Sequence, residues 1–340
     1  IYLYRSLAAF GGVERIFIDK ANYLAEHYGY HVYIITWEQG GHSIVYPLSP
    51  KVTHVDWGIL FYRQYQYGLF KRMFMQWKME KEFFKKLSNF VHTTQADIVI
   101  GASCEFTTMA GMDLLQRKTH TILETHSMRT SIEKNNPPAG NLLMRWAFKR
   151  RDKQLHQYIK HMSAFVTLTH NDAKDWSDIT PQARIIPNML HRYPAEISPD
   201  KKTQKRIITA GRLVEQKGYD LLLDAWSKVH QKHPEWILDI YGEGEDKTML
   251  LEKRKNLALE NSVLFHPPTL DIYQKYMDSD FYVMSSRFEG FGIPIIEALY
   301  SGIPVVAATG SCLEEAGGPD SIYVHPDDIK GMANAFKQIY

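Results

Sequence analysis

Short apolar runs that alternate with longer amphipathic segments constrain this chain more than any other feature. The first half contains four such runs, namely His31–Thr36, Ala96–Ile100, Thr121–Glu124 and Ala164–Leu168. The second half contains four more, namely Arg206–Ala210, Trp236–Tyr241, Phe281–Met284 and Ile303–Ala307. Nearly continuous apolar strands separated by helical lengths are typical of parallel sheets covered by helices on both faces. The sequence therefore predicts an α/β fold with two doubly wound, Rossmann-like domains.

A polar connection separates the two series of runs. The chain has 340 residues, 44% of them hydrophobic, which suffices for about two domains and excludes a disordered or collagen-like protein. Between Pro187 and Arg206 the composition is that of an inter-domain connection. We place the boundary near residue 195, which gives domains over 1–195 and 196–340. Two such domains facing each other form a cleft, and ligands bind beyond the carboxyl ends of the strands.

The composition excludes further classes of protein. No apolar run approaches the roughly 18 residues that a bilayer crossing needs. Cys104 and Cys312 show no metal-binding spacing, which favours a reducing compartment, and no P-loop signature is present. The sequence opens in IYLYRS without an initiator Met or a signal-peptide pattern, so we expect that a few residues are missing from the start.

Charge is distributed unevenly along the chain. Residues 1–195 hold 24 Lys and Arg against 16 Asp and Glu, a net charge of +8, whereas the remainder has a net charge of −6. This asymmetry suggests that the first half meets an anionic surface or substrate, although ordinary solvated faces explain it equally well. We expect no nucleic-acid partner.

The most specific motif, SSRFEGFGIPIIEAL, follows the third run of the second series. Gly290 and Gly292 permit close approach of the backbone to a ligand, and Pro294 suits the first turn of a helix whose amides can bind an anion. Glu289 and Glu297 could accept hydrogen bonds from sugar and ribose hydroxyls. A tight strand-to-helix connection is the alternative interpretation.

A second motif, GRLVEQKG, also follows a predicted strand and precedes helical spacing from Tyr219 to His230. Its loop contains Arg212 and Lys217. A guanidinium fork and an ammonium group at this position could bind a diphosphate and stabilise the charge on a leaving group. The alternative is a surface loop with ordinary basic residues.

Two weaker signals lie in the first half. Gly11 and Gly12, within FGGVER, precede an amphipathic helix that extends to about Tyr28, and their backbone could approach a phosphate or a sugar. His126 follows a predicted strand and could face the cleft, although a lone histidine is more often a polar group satisfied within the fold.

Two patterns resemble ligand sites but are better explained otherwise. In GEGEDK, at residues 242–247, a lysine replaces the third glycine of a dinucleotide fingerprint and three acids would repel a pyrophosphate. The sequence Asp278-Ser279-Asp280 has a spacing that could hold a divalent ion, but it ends a helical run. We interpret it as a helix-end turn.

Residues 68–87 combine an apolar stripe with positive charge. The stripe recurs at helical spacing in Phe70, Met73, Phe74, Trp77, Phe84 and Leu87. Residues 71–86 carry six Lys or Arg against two Glu, which is typical of an interfacial helix on an anionic membrane. A second basic cluster runs from Arg145 to Lys153. An ordinary helix with its stripe in the core explains the same spacing.

Together these motifs resemble the retaining glycosyltransferases of the GT-B fold, in particular the large fourth family (group 1 type), which includes bacterial mannosyl-, glucosyl- and galactosyltransferases. The resemblance covers nearly the whole chain. Its most specific markers are two glutamates separated by seven residues in FEGFGIPIIEAL, and the following SGIPVVA. The motifs GRLVEQKG, IPN at 186–188 and FGGVER support it.

The resemblance implies roles for the motif residues of the C-terminal domain, which would bind the nucleotide sugar. Glu289 would contact the donor sugar near its reacting carbon, and Glu297 would hold the ribose. Arg212 and Lys217 would bind the diphosphate, so no metal and no other cofactor is expected.

The resemblance implies further contacts with the donor. In the N-terminal, acceptor-side domain His126 would face the donor sugar and Gly12 would lie close to the phosphates or the acceptor. Sugar and phosphate would also meet the backbone around Gly290, Phe291 and Gly292.

Two features depart from the family pattern. His266-Pro267-Pro268 stands where many relatives have a small residue or glycine, so the sequence does not predict the nucleobase contacts. Family members usually continue beyond the position of Tyr340 with a helix that crosses back to the first domain, and we expect a truncated C-terminal domain.

The predicted reaction is transfer of a hexose, with retention at the anomeric carbon, from a nucleotide diphosphate sugar to a saccharide or lipid-linked saccharide in bacterial surface polysaccharide synthesis. UDP is favoured over GDP on family frequency. The alternatives are a sugar-nucleotide epimerase or a phosphorylase on the same scaffold, and a non-catalytic sugar- or lipid-binding protein. A complete set of diphosphate-binding side chains argues against a non-catalytic binding protein. We expect a cytoplasmic enzyme with peripheral contact to the inner face of the membrane.

Overall fold

The computed structural model describes residues 1–102, 104–115, 118–129, 142–190 and 205–336. The chain divides into two compact units, Ile1–Pro187 and Asn188–Tyr340, and each is described by itself. None of the described helices combines the length and the apolar character that a membrane crossing needs. Three predicted features lie outside the described part of the chain: residues 191–204 of the inter-domain connection, the side chain of Arg145 and the tail from Lys337.

The first unit is built on a seven-stranded sheet with the order β3-β2-β1-β4-β5-β6-β7, in which every neighbouring pair is parallel. Its strands are β1 (Tyr2–Leu3), β2 (Val32–Thr36), β3 (Val52–Asp56), β4 (Ile98–Gly101), β5 (His120–Glu124), β6 (Ala164–Thr167) and β7 (Arg184–Ile185). Its helices are α1 (Gly12–His27), α2 (Leu69–Thr94), α3 (Phe106–Asp113), α4 (Leu142–His161) and α5 (His170–Asp175). A short 3₁₀ turn, Phe61–Gln66, precedes α2.

Helices cover both faces of this sheet, which explains why its strands are apolar at consecutive positions. Ile34 packs on one face with Phe17 and neighbouring residues of α1. Its neighbour Ile35 points to the other face and belongs to the cluster of Phe83 and Leu87 on α2.

The second unit has a six-stranded, fully parallel sheet with the order β10-β9-β8-β11-β12-β13. Its strands are β8 (Lys205–Ala210), β9 (Trp236–Tyr241), β10 (Val263–His266), β11 (Phe281–Met284), β12 (Val305–Ala308) and β13 (Ile322–Val324). Its helices are α6 (Tyr219–His230), α7 (Lys247–Asn256), α8 (Ile272–Met277), α9 (Ile293–Tyr300), α10 (Ser311–Gly317) and α11 (Ile329–Phe336). A fully buried cluster that includes Ile207, Trp226 and Leu238 lies between the sheet and α6.

All eight predicted strands are present, with ends within two residues of those predicted, and α6 spans the predicted segment. The fold class is confirmed: both units are doubly wound α/β structures. Five observed strands, β1, β3, β7, β10 and β13, are not among the eight predicted runs. Strand β1 has only two residues, and the other four are edge strands that are short or only partly buried.

Candidate functional site

The candidate site of the second unit lies where its strand order reverses. Strand β8 has β9 on one side and β11 on the other, so the connections after β8 and β11 leave the sheet in opposite directions. Ligands of open α/β sheets bind at such switch points, outside the carboxyl ends of the strands. Residues 211–218 follow β8 and residues 285–292 follow β11. Both motifs therefore flank the switch point.

The two loops meet through a buried ion pair. Lys217 Nζ lies 2.5 Å from Glu289 Oε1, and the Ser286 hydroxyl donates to the same oxygen at 2.7 Å. Both contacts are made by Oε1, and none of the described residues donates a hydrogen bond to Oε2 of Glu289. The structure thus brings together a cation and a carboxylate that lie 72 residues apart in the sequence.

Close backbone packing holds the two loops against each other. Gly218 has a φ of +64°, and a Cβ at this position would overlap the carbonyl oxygen of Ser285. The Ser285 hydroxyl donates in turn to the Lys217 carbonyl at 2.9 Å. The glycine that ends GRLVEQKG therefore allows the second loop to approach the first.

Arg212 belongs to the same loop as Lys217, and its side chain is exposed. The next residue, Leu213, is fully buried and anchors the loop: its amide donates to the Glu243 carbonyl at 2.9 Å. A Cβ at Gly242 or Gly244 would overlap the carbonyl oxygen of Gly211 or of Leu213, respectively. The glycine pair in GEGEDK thus has a structural role, as the packing partner of the Arg212 loop.

Glu297, on α9, is buried beneath the same sheet edge. Its two carboxylate oxygens accept from the hydroxyls of Tyr273 and Tyr276, on α8, at 3.4 and 3.3 Å. Burial raises the pKa of Tyr282 well above its ordinary value, and the charges of Glu289 and Glu297 add to this effect. The charges of both predicted glutamates therefore reach the same buried tyrosine, Tyr282. Sequence reasoning missed Tyr273 and Tyr276, which contact Glu297.

The start of α9 depends on Gly292, which has a φ of +86° and precedes the helix directly. Phe291 beside it is buried. On the far side of the loop, the thiol of the buried Cys312 donates to the Glu289 carbonyl at 2.8 Å. The sequence offered no signal for this role of Cys312.

In the first unit, His126 follows β5 and belongs to a buried charged group. Its Nε2 lies 3.4 Å from Glu124 Oε2, and Lys20 Nζ contacts both oxygens of Glu124 at 2.5 and 2.6 Å. Burial alone would raise the pKa of Glu124, but His126 and Lys20 outweigh it, and the pKa lies below its ordinary value. Sequence reasoning missed Glu124 and Lys20, although a carboxylate that ends an apolar strand was a usable signal.

Gly12 is the first residue of α1, and Gly11 before it is extended. A Cβ at Gly11 would overlap the carboxylate of Glu14, whose Oε1 accepts from the Tyr4 hydroxyl at 3.1 Å. Gly12 and His126, which the sequence predicts to contact the donor, lie at the carboxyl edge of the first sheet. The other residues predicted to contact the donor belong to the second unit.

The DxD pattern is confirmed as a helix-end turn. Asp278 caps the C-terminus of α8, and Asp280 Oδ2 accepts from the backbone amide of Arg206 at 2.8 Å. Among the residues that the structure describes, no group of three His, Cys, Asp or Glu could hold a metal ion.

The predicted amphipathic helix α2 changes character along its length. Its later turns enter the core through Met79, Phe83, Leu87 and Val91. Its first turns form what we call the α2 surface, five apolar side chains that are each more than half exposed: Leu69, Phe70, Met73, Phe74 and Trp77. Three cations lie over aromatic rings there: Lys71 over Tyr67 at 4.2 Å, Arg72 over Tyr65 at 4.1 Å and Lys81 over Trp77 at 5.3 Å. The core interpretation therefore holds only for the later turns, and the interfacial interpretation stays a prediction for the first turns.

Comparison with known proteins agrees with this description. Residues 195–340 match the family model described as Glycosyl transferases group 1. An uncharacterized glycosyltransferase of Haemophilus influenzae is 29% identical over 312 residues, which cover 89% of this chain and 78% of that protein. The amylovoran biosynthesis glycosyltransferase AmsD of Erwinia amylovora is 40% identical over 120 residues, which cover 35% of this chain and 33% of that protein.

Among solved structures, Anabaena Alr3699/HepE in complex with UDP-glucose is similar, with a TM-score of 0.72 at 17% sequence identity. The match covers 99% of this chain and 88% of that chain. This likeness supports the α/β fold of two Rossmann-like domains along the whole chain.

Proposed function

We propose that this chain, which carries a group 1 glycosyltransferase domain, is a retaining hexosyltransferase that uses a UDP-sugar. The observation that carries the proposal is the Lys217–Glu289 pair at the switch point of the second sheet. The UDP-glucose bound to Anabaena HepE supports the choice of donor. The name of AmsD supports an acceptor in polysaccharide synthesis, either a saccharide or a lipid-linked saccharide.

The proposed reaction breaks the bond between the anomeric carbon and the β-phosphate oxygen. The acceptor hydroxyl forms the new bond on the same face, and its proton leaves with the departing phosphate. Lys217 and Arg212 would neutralise the charge that develops on this phosphate, and such electrostatic stabilisation is usually the largest contribution that side chains make to a reaction of this kind. They would do so without a metal ion.

Glu289 is assigned to the sugar rather than to nucleophilic attack. Its Oε1 already accepts from an ammonium group and a hydroxyl, and both contacts lower the nucleophilicity of the carboxylate. Oε2 would accept a hydrogen bond from a sugar hydroxyl, and Glu297 would accept one from the ribose. His126 and Gly12 of the first unit are proposed further contacts of the donor.

Nucleotide binding and turnover test this function. A ligand at 100 times its dissociation constant adds roughly 2.7 kcal/mol to the free energy of unfolding. We expect UDP to raise the Tm of the full chain more than GDP or ADP, and we expect UDP release from a UDP-hexose to persist in EDTA. Stabilisation by GDP alone would overturn the assignment of a UDP-sugar as the donor. Formation of an epimerised sugar nucleotide in the absence of an acceptor would indicate the epimerase alternative.

We also propose that the α2 surface lies against an anionic membrane and brings the enzyme to a lipid-linked acceptor. The exposed lysines Lys78, Lys81 and Lys85 follow these apolar side chains over the next two turns of the same helix. Each basic residue near an anionic surface contributes about 1 kcal/mol before screening. The combination of apolar contact and positive charge fits a lipid headgroup layer better than it fits either water or an apolar protein partner.

Liposome flotation tests this attachment. Neutralising Lys78, Lys81 and Lys85 together should weaken binding to anionic vesicles by up to roughly 100-fold. The control variant neutralises three lysines of the second unit that lie at least partly exposed, namely Lys228, Lys232 and Lys255. Absence of binding to vesicles of any composition would overturn the proposal, and self-association through the α2 surface would point to a second copy as its occupant.

A further inference from the structure

Arg287 connects the two loops of the candidate site. It lies in the loop that carries Glu289, but its guanidinium reaches Asp220 on α6 through two parallel contacts of 2.8 and 2.7 Å. Its Nη1 also donates to the Glu215 carbonyl at 2.7 Å, and its backbone amide donates to the Gln216 carbonyl at 2.8 Å. One residue thus holds the two positions that directly precede Lys217.

The segment it holds has few hydrogen bonds of its own. Lys217 ends the 3₁₀ turn Glu215–Lys217, in which the Lys217 amide donates to the Val214 carbonyl. A turn this short does not fix its own direction, so contacts from outside determine where Lys217 points. A forked guanidinium and a carboxylate form a directional pair, which suits that purpose. Although burial would raise the pKa of Asp220, Arg287 holds that pKa below its ordinary value.

We propose that Arg287 and Asp220 are positioning residues that fix Lys217 relative to Glu289. The inference rests on the proposed function, in which Lys217 stabilises the diphosphate leaving group. Neither side chain is assigned a contact with substrate. Because small misplacements of a charge cost more in the transition state than in the ground state, loss of the Arg287–Asp220 contact should lower kcat more than it raises KM.

The chain offers a matched control one turn along the same helix. Asp224 pairs with Lys253 of α7 at 2.7 Å, and the two side chains are 32 and 27% exposed. The Asp220 and Arg287 side chains are 28 and 27% exposed. Asp220→Asn and Asp224→Asn therefore remove equally exposed ion pairs from one helix, but only the first pair touches the candidate site.

The experiment compares both variants in the full chain, by Tm, by UDP-induced stabilisation, and by kcat and KM for a UDP-hexose. Asp220→Asn should lower kcat by on the order of tenfold to 100-fold. Asp224→Asn should leave kcat within about twofold of wild type at a similar Tm. Arg287→Lys should resemble Asp220→Asn, because an ammonium group lacks the fork that makes both contacts.

A double variant tests whether the effect passes through Lys217. In a Lys217→Ala background, Asp220→Asn should lower kcat by no more than about threefold, because the group that it positions is already absent. Equal kcat in Asp220→Asn and Asp224→Asn, or a fully multiplicative effect in the double variant, would overturn the positioning role. A wild type with neither turnover nor UDP-induced stabilisation would instead overturn the proposed function and the positioning role with it.

Discussion

Replacing Lys217 by alanine probes the candidate site most directly. The substitution removes one ammonium group from the position proposed for the diphosphate. Removing one preorganised charge at a leaving group costs about 2 to 4 kcal/mol of transition-state stabilisation. This corresponds to a fall of about 30- to 900-fold in kcat/KM for a UDP-hexose, measured by UDP release.

The same substitution also affects folding. The buried carboxylate of Glu289 keeps its hydrogen bond from the Ser286 hydroxyl, at 2.7 Å, but loses its cation. Breaking a buried ion pair from one side costs about 3 to 5 kcal/mol, and the lower end applies here because Ser286 remains. The double variant Lys217→Ala/Glu289→Gln removes the unpaired charge, so it should regain most of the unfolding free energy but none of the activity.

A second lysine serves as the control. Lys247 Nζ lies 2.5 Å from Glu243 Oε1, as close as Lys217 lies to Glu289, but the side chains of this second pair are 38 and 50% exposed. Lys247→Ala should keep kcat/KM within about twofold of wild type. A Lys217→Ala enzyme that is folded at the assay temperature and retains wild-type kcat/KM would refute the assignment of Lys217 to the leaving group.

Two further predictions concern stability. Gly218→Ala should lower the free energy of unfolding by at least about 1 kcal/mol more than Gly29→Ala, as measured by urea titration. Both glycines are left-handed, but an added Cβ would overlap Ser285 only at Gly218. Glu124, whose folded pKa lies below its ordinary value of 4.5, stabilises the fold fully above about pH 4.5 and progressively less as pH falls through the folded pKa. The stability difference between wild type and Glu124→Gln should therefore shrink on acidification, and a constant difference down to about pH 3 would contradict this.

The sequence predicted the second unit more completely than the first, for a physical reason. Buried parallel strands such as β9 and β11 are apolar on both faces, and their composition alone distinguishes them from helices and loops. Edge strands such as β3 bury only part of their residues, and their polar composition hides them. Burial by neighbouring elements, which sequence does not report, decides those cases.

The site shows a similar division. Arg212, Lys217 and Glu289 were predictable because each is a charged residue in a loop that follows an apolar strand. The Asp220–Arg287 pair was not predictable, because Asp220 is an ordinary first-turn acid of a helix and acquires its partner only from the fold. Lys217 and Glu289 likewise belong to loops 72 residues apart, and a pairing over that distance leaves no pattern in a single sequence.

Helix α2 shows most clearly where periodicity stops being informative. Phe70, Phe74 and Trp77 have the same helical spacing as Phe83 and Leu87, so a pattern cannot separate the two groups. The structure separates them because strands of the first sheet reach Phe83 and Leu87, whereas Phe70, Phe74 and Trp77 stay more than half exposed. Apolar side chains that stay exposed to water raise the free energy of the folded chain, and exposed lysines follow them along the same helix. The proposed membrane contact rests on these two properties together, rather than on the apolar spacing.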